Sequence, residues 1–186
     1  MPQEVLEPQL TDGVVVIRPP IVADAYSWWA GEDDDQWHWL WNEASYDTFP
    51  RASMLEGVTE FIASLEKEWQ AGDSARRMFG VRERASDTLV GFIELRICED
   101  KRANLSWGVY PPYRRRGYAR HASALAIEYA RTHMPVKAVV GIIDEENMAS
   151  RRMAEAAGFV LDGPAERWEY GDETDGHMLR YVLPLR

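Results

Sequence analysis

Residues 109–119 of the chain read Val109-Tyr110-Pro111-Pro112-Tyr113-Arg114-Arg115-Arg116-Gly117-Tyr118-Ala119. The residues just before them, from Asn104 to Val109, alternate between polar or small and apolar side chains, which predicts a strand. The segment from Gly117 to Thr132 is rich in alanine and has no interior glycine or proline, which predicts a helix. A helix N-terminus presents unpaired N–H groups and partial positive charge. This strand, arginine-rich turn and helix therefore predict a phosphate-binding turn, and we call residues 110–117 the cradle loop.

The arginines of the cradle loop have an ordinary alternative explanation as a solvated surface run. The chain carries a net charge of −10, however, so a compact cationic cluster stands out against its composition. The sequence contains neither a Gly-x-x-x-x-Gly-Lys-Ser/Thr run nor a Gly-x-Gly-x-x-Gly run, which excludes the two common nucleotide loops. Pro111 and Pro112 lack amide hydrogens, so they either end the strand or only shape a turn.

Two motifs resemble the GNAT superfamily of acyl-CoA-dependent N-acetyltransferases. Arg114-x-x-Gly117-x-Ala119 is similar to the Gln/Arg-x-x-Gly-x-Gly/Ala signature of that family. Further along the chain, Asn147-x-x-Ser150 followed by Gly158-Phe159 is similar to the family's later helix-and-strand segment. The string from Ser106 to Pro111 and the opening string from Val14 to Pro19 look most like the RimJ/RimL-like branch, which acetylates protein N-termini and includes enzymes acting on small amines.

The resemblance implies acetyl-CoA as co-substrate, with its pyrophosphate on the loop amides. It also implies that the strand ending at Val109 and the strand ending near Ile143 splay apart, and that the pantetheine arm lies between them. Asn147 is expected to contact the pantetheine arm, and the alternative is that it only caps its helix. The expected acetyl-CoA contacts are Val109, Tyr110, Arg114, Arg115, Arg116, Gly117, Tyr118, Ala119, Asn147 and Arg151.

The implied reaction is attack of a neutral primary amine on the acetyl thioester, which needs a base and a partner for the thiolate. In many GNAT enzymes a tyrosine seven residues after the motif asparagine lies beside the thiol, but here that position is Ala154. In the RimJ/RimL-like branch the serine three residues after the asparagine has this role, which makes Ser150 the expected thiolate partner. For the base, Glu94 and Glu169 are both candidates on predicted strands, and each has an arginine neighbour as the alternative explanation. A non-catalytic acyl-CoA-binding regulatory module is the alternative function.

The acceptor is expected to be positively charged. Acidic residues and five of the chain's tryptophans cluster between positions 28 and 41, and a second acidic run lies at 172–175. Aromatic rings with carboxylates suit a cation such as a basic protein N-terminus, a polyamine or an aminoglycoside-like amine. The alternative is that the tryptophans fill the core and the carboxylates keep the protein soluble. The expected acceptor contacts are Trp29, Glu32, Asp33, Asp34, Asp35 and Trp37.

Length and composition exclude several other classes. The 186 residues, 46% of them hydrophobic, predict a single N-acetyltransferase domain over residues 1–186. No apolar run approaches a membrane span and the N-terminus has no signal-peptide form, which predicts a cytoplasmic protein. The single Cys98 excludes an internal disulfide, and the four histidines show no metal-ligand spacing, so no metal is expected. The net negative charge argues against nucleic acid as a partner. A homodimer is possible on this sequence.

Periodicity along the rest of the chain predicts an α/β (α+β) fold with a largely antiparallel central sheet. Helices are expected at 23–30, 33–41, 53–71 (with Ser53 and Glu56 as a capping box), 117–132 and 147–157. Strands are expected at 14–18, 78–84, 89–97, 104–109, 138–143, 159–170 and 177–183. One parallel crossover through the helix at 117–132 is expected to connect the strand at 104–109 to the strand at 138–143. The loop 171–176 is expected to turn the last hairpin.

Overall fold

A computed structural model describes residues 8–41, 51–72, 75–170 and 177–185 of the chain. The strands of its central sheet are β1 (Leu10–Thr11), β2 (Val15–Arg18), β3 (Arg76–Glu83), β4 (Leu89–Ile97), β5 (Ala103–Val109), β6 (Ala138–Asp144), β7 (Val160–Pro164) and β8 (Met178–Pro184). The helices are α1 (Ala25–Gly31), α2 (Asp34–Trp41), α3 (Arg51–Ala71), α4 (Tyr118–His133), α5 (Met148–Ala156) and α6 (Arg167–Tyr170). In the described part of the chain, no helix is both long and apolar enough to cross a bilayer.

The eight strands form one sheet in the order β1-β2-β3-β4-β5-β6-β8-β7. All neighbouring pairs are antiparallel except β5 and β6, which run parallel and are joined through α4. The antiparallel meander of β3, β4 and β5 and the single parallel crossover are thus confirmed.

The sheet has a hydrophobic core on each face. On one face, α4 packs its alanines Ala122, Ala126 and Ala130 against strand residues such as Phe79 and Ile93. On the other, α1 and α3 cover the sheet with Trp28, Ile62 and Leu65 packed around Phe92 and Tyr110. The Trp28 ring stacks on Phe92 with centroids 5.2 Å apart, so this tryptophan does fill the core.

Two sequence predictions about the ends of elements are wrong. Helix α3 already includes Arg51, so Ser53 lies inside the helix and not at its N-cap. The strand expected over 159–170 ends at Pro164, which has no amide hydrogen to continue the ladder, and residues 167–170 form α6. The Glu169 carboxylate stabilises that turn by accepting a hydrogen bond from the Glu166 N–H at 2.7 Å. The loop 171–176 lies outside the described residues.

Strands β4 and β5 approach closely at a pair of glycines. A Cβ added at Gly91 would lie 2.1 Å from the Gly108 carbonyl oxygen and 3.0 Å from the Val109 Cα. Because these are backbone atoms of a paired strand, they cannot move aside cheaply, and Gly91→Ala is expected to lower the free energy of unfolding by about 3 kcal/mol in urea titration. The control is Gly57→Ala on exposed α3 surface, where a Cβ meets nothing within 4 Å; it should raise stability by about 0.5–1 kcal/mol. Equal stabilities for the two variants would contradict this account.

Candidate active site

Strands β5 and β6 separate after two residue pairs. Their parallel ladder contains only Ala103↔Val139 and Asn104↔Val140, although both strands continue to Val109 and Asp144. The splayed strand pair expected from the resemblance is therefore present in the fold. It opens a cavity of about 550 Å³, walled by residues 105–109 of β5, 142–144 of β6, the cradle loop with the start of α4, α5, and part of α2.

The backbone of the cradle loop is held in an unusual curve. After a one-turn 3-10 helix at Pro111–Tyr113, both Arg115 (φ +63°) and Gly117 (φ +83°) adopt left-handed backbone conformations. Gly117 is the N-cap of α4, and its carbonyl accepts the first hydrogen bond of that helix from the His121 N–H at 3.2 Å. The loop thus leads directly into the open N-terminus of a helix of 16 residues, where backbone N–H groups are available to an anion.

Arg114 already has partners within the chain. Its Nε donates to the Val109 carbonyl at 2.9 Å, and its two terminal nitrogens bind Asp33 at 2.7 Å and Asp35 at 3.1 Å. Two carboxylates expected to contact the acceptor therefore pair with an arginine expected to contact acetyl-CoA. The side chain of Arg114 joins the cradle loop to the start of α2.

The other two arginines of the loop differ from Arg114. Arg115 lines the cavity and forms no ion pair with any residue that the structure describes. Arg116 lies over the Tyr113 ring, 5.7 Å from its centroid, and does not line the cavity. Nearby, the Tyr118 hydroxyl donates a hydrogen bond to Glu83, and this bond raises the pKa of Tyr118. Hydrogen bonds from Ser86 and Tyr118 lower the pKa of Glu83. Tyr118 and Ala119 both line the cavity at the first turn of α4.

The start of α5 supplies the opposite wall. Asn147 is the N-cap: its side-chain oxygen accepts the Ser150 N–H at 3.0 Å, so the helix-cap alternative describes this residue, although it also lines the cavity. The Ser150 hydroxyl has no hydrogen-bond partner among the described residues, and Ser150 lines the cavity. Arg151 points elsewhere, donating to the Tyr181 hydroxyl at 3.0 Å and the Glu145 carbonyl at 2.8 Å, and Ala154 is buried.

The two candidate bases have different surroundings. Glu94 is buried on β4 and binds Arg96 at 2.9 Å; its register partner on β5 is Ser106, which lines the cavity. Glu169 lies in α6, where one oxygen binds Arg102 at 2.7 Å and the other binds Arg180 at 2.8 Å. Its side chain is only 3% exposed. Neither carboxylate lines the cavity, but Glu94 lies opposite a residue that does, which makes it the better placed of the two.

The expected acceptor contacts are spread over the start of α2 and the end of α1. Among those whose side chains the structure describes, only Asp35 lines the cavity, and Trp29 packs on Tyr26 with centroids 5.6 Å apart. Tyr110, expected to contact acetyl-CoA, is instead buried in the core. The side chain of Trp37 and the acidic run 172–175 lie outside what the structure describes. Gln36, Trp39 and Leu40 of α2 do line the cavity, and no motif in the sequence indicated them.

The only cysteine lies away from the cavity. Burial raises the pKa of the Cys98 thiol, so little of it is the reactive thiolate near neutral pH. Both observations argue against Cys98 as a catalytic nucleophile.

The chain matches the acetyltransferase (GNAT) domain family over residues 15–160. It therefore belongs to the GNAT acetyltransferases, a family of acetyl-CoA-dependent enzymes, and the resemblance carried by the two motifs is confirmed. No curated protein sequence has a significant match to the chain.

Solved structures share the fold at low sequence identity. Ribosomal-protein-S5-alanine acetyltransferase from Vibrio fischeri superposes with a TM-score of 0.76 at 14% identity, covering 96% of this chain and 97% of that one. RimJ from Mycobacterium smegmatis, in complex with CoA-disulfide, gives 0.72 at 20% identity over 97% of this chain and 87% of that one. Spermidine N-acetyltransferase from Vibrio cholerae, in complex with CoA and spermine, gives a TM-score of 0.70 at 19% identity, covering 94% of this chain and 97% of that one.

Proposed function

We propose that the protein transfers the acetyl group of acetyl-CoA to a primary amine by direct attack, without a covalent enzyme intermediate. The observation that best supports this is the open β5–β6 ladder, because it leads from the left-handed cradle loop to Ser150 within one cavity. We assign this function to one N-acetyltransferase domain over residues 1–186.

The residues of the cavity fit the chemical groups of acetyl-CoA. A pyrophosphate suits the N–H groups between Arg115 and Ala119, at the N-terminus of α4, beside the Arg115 guanidinium, which forms no ion pair with the described residues. The amides of a pantetheine arm suit the β5 backbone beyond Asn104, where no strand pairs with that edge. The Val109 carbonyl is already bound by Arg114, so the groups open to the arm are those between residues 105 and 108 that face away from β4.

The chemistry requires a proton to leave the amine and the thiolate to be stabilised. The amine nitrogen forms a bond to the thioester carbonyl carbon, the C–S bond breaks, and CoA departs as thiolate. We assign stabilisation of that thiolate to the Ser150 hydroxyl, which has no competing partner among the described residues. We assign the base to Glu94, with the proton passing along the Ser106 side of β5.

For the acceptor, we propose a cationic amine, either a protein N-terminus or a small polyamine or aminoglycoside-like amine. The names of the structural neighbours include both ribosomal-protein and spermidine acetyltransferases. Electrostatic attraction would come from the acidic residues at the start of α2, although Asp33 and Asp35 also pair with Arg114. A second candidate, a non-catalytic acyl-CoA-binding regulatory module, is favoured by Ala154 at the position of the usual tyrosine.

One experiment separates these functions. Thiol release from acetyl-CoA is followed with a thiol-reactive dye against basic peptides, polyamines and aminoglycosides, and thermal stabilisation by CoA is measured in parallel. Release with one amine class supports acetyl transfer, whereas stabilisation by CoA without release from any amine would favour the regulatory module. The Cys98→Ser variant removes the only protein thiol and so shows how much of the dye signal comes from the protein itself.

Ser150→Ala is expected to lower kcat about ten- to hundredfold with little change in affinity for CoA, because it removes one hydrogen bond to a developing charge. Steady-state kinetics with calorimetric titration of CoA measures both quantities. Ser64→Ala on exposed α3 surface, whose hydroxyl donates to the Phe61 carbonyl, is the control and should change neither. Parallel losses of kcat and CoA affinity in Ser150→Ala would argue against the thiolate role.

A further inference from the structure

The carboxamide of Gln36 is buried without any hydrogen bond. The residue is only 6% exposed, and neither its Oε1 nor its Nε2 has a partner among the described residues. Buried polar side chains in folded proteins are nearly always hydrogen bonded, so an orphaned carboxamide calls for a specific explanation. Gln36 also lines the cavity that holds the proposed active site.

Gln36 lies directly over the open part of β5. A Cβ added at Gly108 would lie only 2.9 Å from Nε2 and 2.5 Å from the Phe92 ring, so the carboxamide packs on a bare stretch of strand. Gly108 belongs to the part of β5 that β6 does not pair with. Phe92 beside Gly108, and Trp39 and Leu40 of the cavity wall, are hydrophobic, and the amide has no hydrogen-bond partner among the described residues.

The main chain at Gln36 is anchored through Asp33. Its N–H donates to the Asp33 carboxylate at 3.1 Å, and Asp33 in turn binds Arg114 of the cradle loop. The last torsion of a glutamine side chain is soft, so the amide plane can turn from Gly108 to an incoming group at little cost. The result is a positioned backbone with a carboxamide that a ligand can use.

The side of the sheet on which Gln36 lies indicates which ligand its carboxamide would bind. Gly108 and Ser106 point to the same side of β5, and their register partners Phe92 and Glu94 point to that side of β4. This is the side covered by α1 and α3, on which the candidate base Glu94 lies. A pantetheine arm pairing with the β5 edge would lie in the plane of the strands, whereas Gln36 contacts the strand from above, on the acceptor's side.

We propose that Gln36 is a specificity-determining residue that binds an amide group adjacent to the reacting amine; this rests on the proposed acetyl transfer. A carboxamide offers one acceptor and two donors, which match the N–H and C=O of a peptide bond. A protonated polyamine offers donors only, so it would satisfy Oε1 and leave Nε2 unpaired. The acceptor class that fits is therefore an amine followed by a peptide-like amide, in preference to a polyamine.

The test compares two acceptors that differ in one group. Alanyl-alanine amide is measured against its analogue in which the first peptide bond is replaced by CH₂–CH₂, using wild type and Gln36→Leu. Leucine has similar volume and removes both polar atoms. We expect kcat/KM of Gln36→Leu to fall about tenfold or more for the peptide and to stay within about twofold for the analogue, with unchanged affinity for CoA. Leu40→Met, on the same wall, is the control and should not discriminate.

Thermal unfolding without ligand provides a readout besides activity. Replacing an unpaired buried amide by an apolar group should leave the melting temperature equal or higher, whereas loss of an existing hydrogen bond would lower it. The inference is overturned by a lower melting temperature, by equal losses on both acceptors, or by weaker CoA binding, which would assign Gln36 to the pantetheine amides. If wild type acetylates neither these acceptors nor any other amine, the proposed function fails and the inference falls with it.

Discussion

Gly117→Val should lower the affinity for CoA at least about a hundredfold. Gly117 has φ +83°, a conformation that a β-branched residue adopts only at a cost of about 1–3 kcal/mol. Valine would therefore pull the loop toward another conformation and turn the N–H groups at the start of α4 away from the pyrophosphate. Loss of two charge-assisted hydrogen bonds is enough for this effect. Calorimetric titration with CoA measures it.

The source of that effect is backbone conformation and not crowding by protein atoms. A Cβ at Gly117 would lie 3.7 Å from the His121 ring, which is an ordinary contact. Gly72 offers a matched control, because it ends α3 with φ +75° and its Cβ would meet nothing within 4 Å. Gly72→Val should lose similar stability but keep CoA binding. If Gly117→Val binds CoA like wild type, the cradle loop does not hold the pyrophosphate.

The fold was predictable from the sequence where the signal is local. Alternation before Val109, the alanine-rich run after Gly117 and the paired motifs gave the order strand, loop, helix, strand, helix, and the parallel crossover follows from that order. The strand predicted at 159–170 ends at Pro164, and beyond it Glu169 pairs with Arg102 and Arg180, a pairing that local periodicity does not reveal.

The roles of individual side chains in the site were less predictable for the same reason. Composition predicts that the acidic residues at the start of α2 face the acceptor, yet Asp33 and Asp35 bind Arg114, which lies far from them in the sequence. Gln36 carries no motif, and only the folded chain shows it buried over Gly108 without a partner. Local patterns predict elements and backbone sites, whereas tertiary pairing decides which charges and amides remain available to ligands.

Glu94→Gln is expected to lower kcat/KM about a hundredfold at neutral pH, the usual contribution of a positioned base. The carboxylate lies one strand away from the cavity wall, opposite Ser106, and side chains in such cross-strand pairs have Cβ atoms about 4.5–5.5 Å apart. That separation allows a proton to pass through the Ser106 hydroxyl or one water. The loss should shrink as the pH rises toward the pKa of the acceptor amine, because the amine then enters already neutral. A pH–rate profile of both enzymes measures this.

Arg96 provides the control that separates a base from a structural ion pair. Arg96→Gln breaks the same 2.9 Å contact but keeps the Glu94 carboxylate; because the Glu94 side chain is only 10% exposed, stability should fall by about 1–3 kcal/mol. If Glu94 acts as the base, Arg96→Gln retains most of its activity at neutral pH, whereas Glu94→Gln does not. If both variants lose activity equally at every pH, the pair only holds β4 in place, and the amine must lose its proton to solvent before it reaches the thioester.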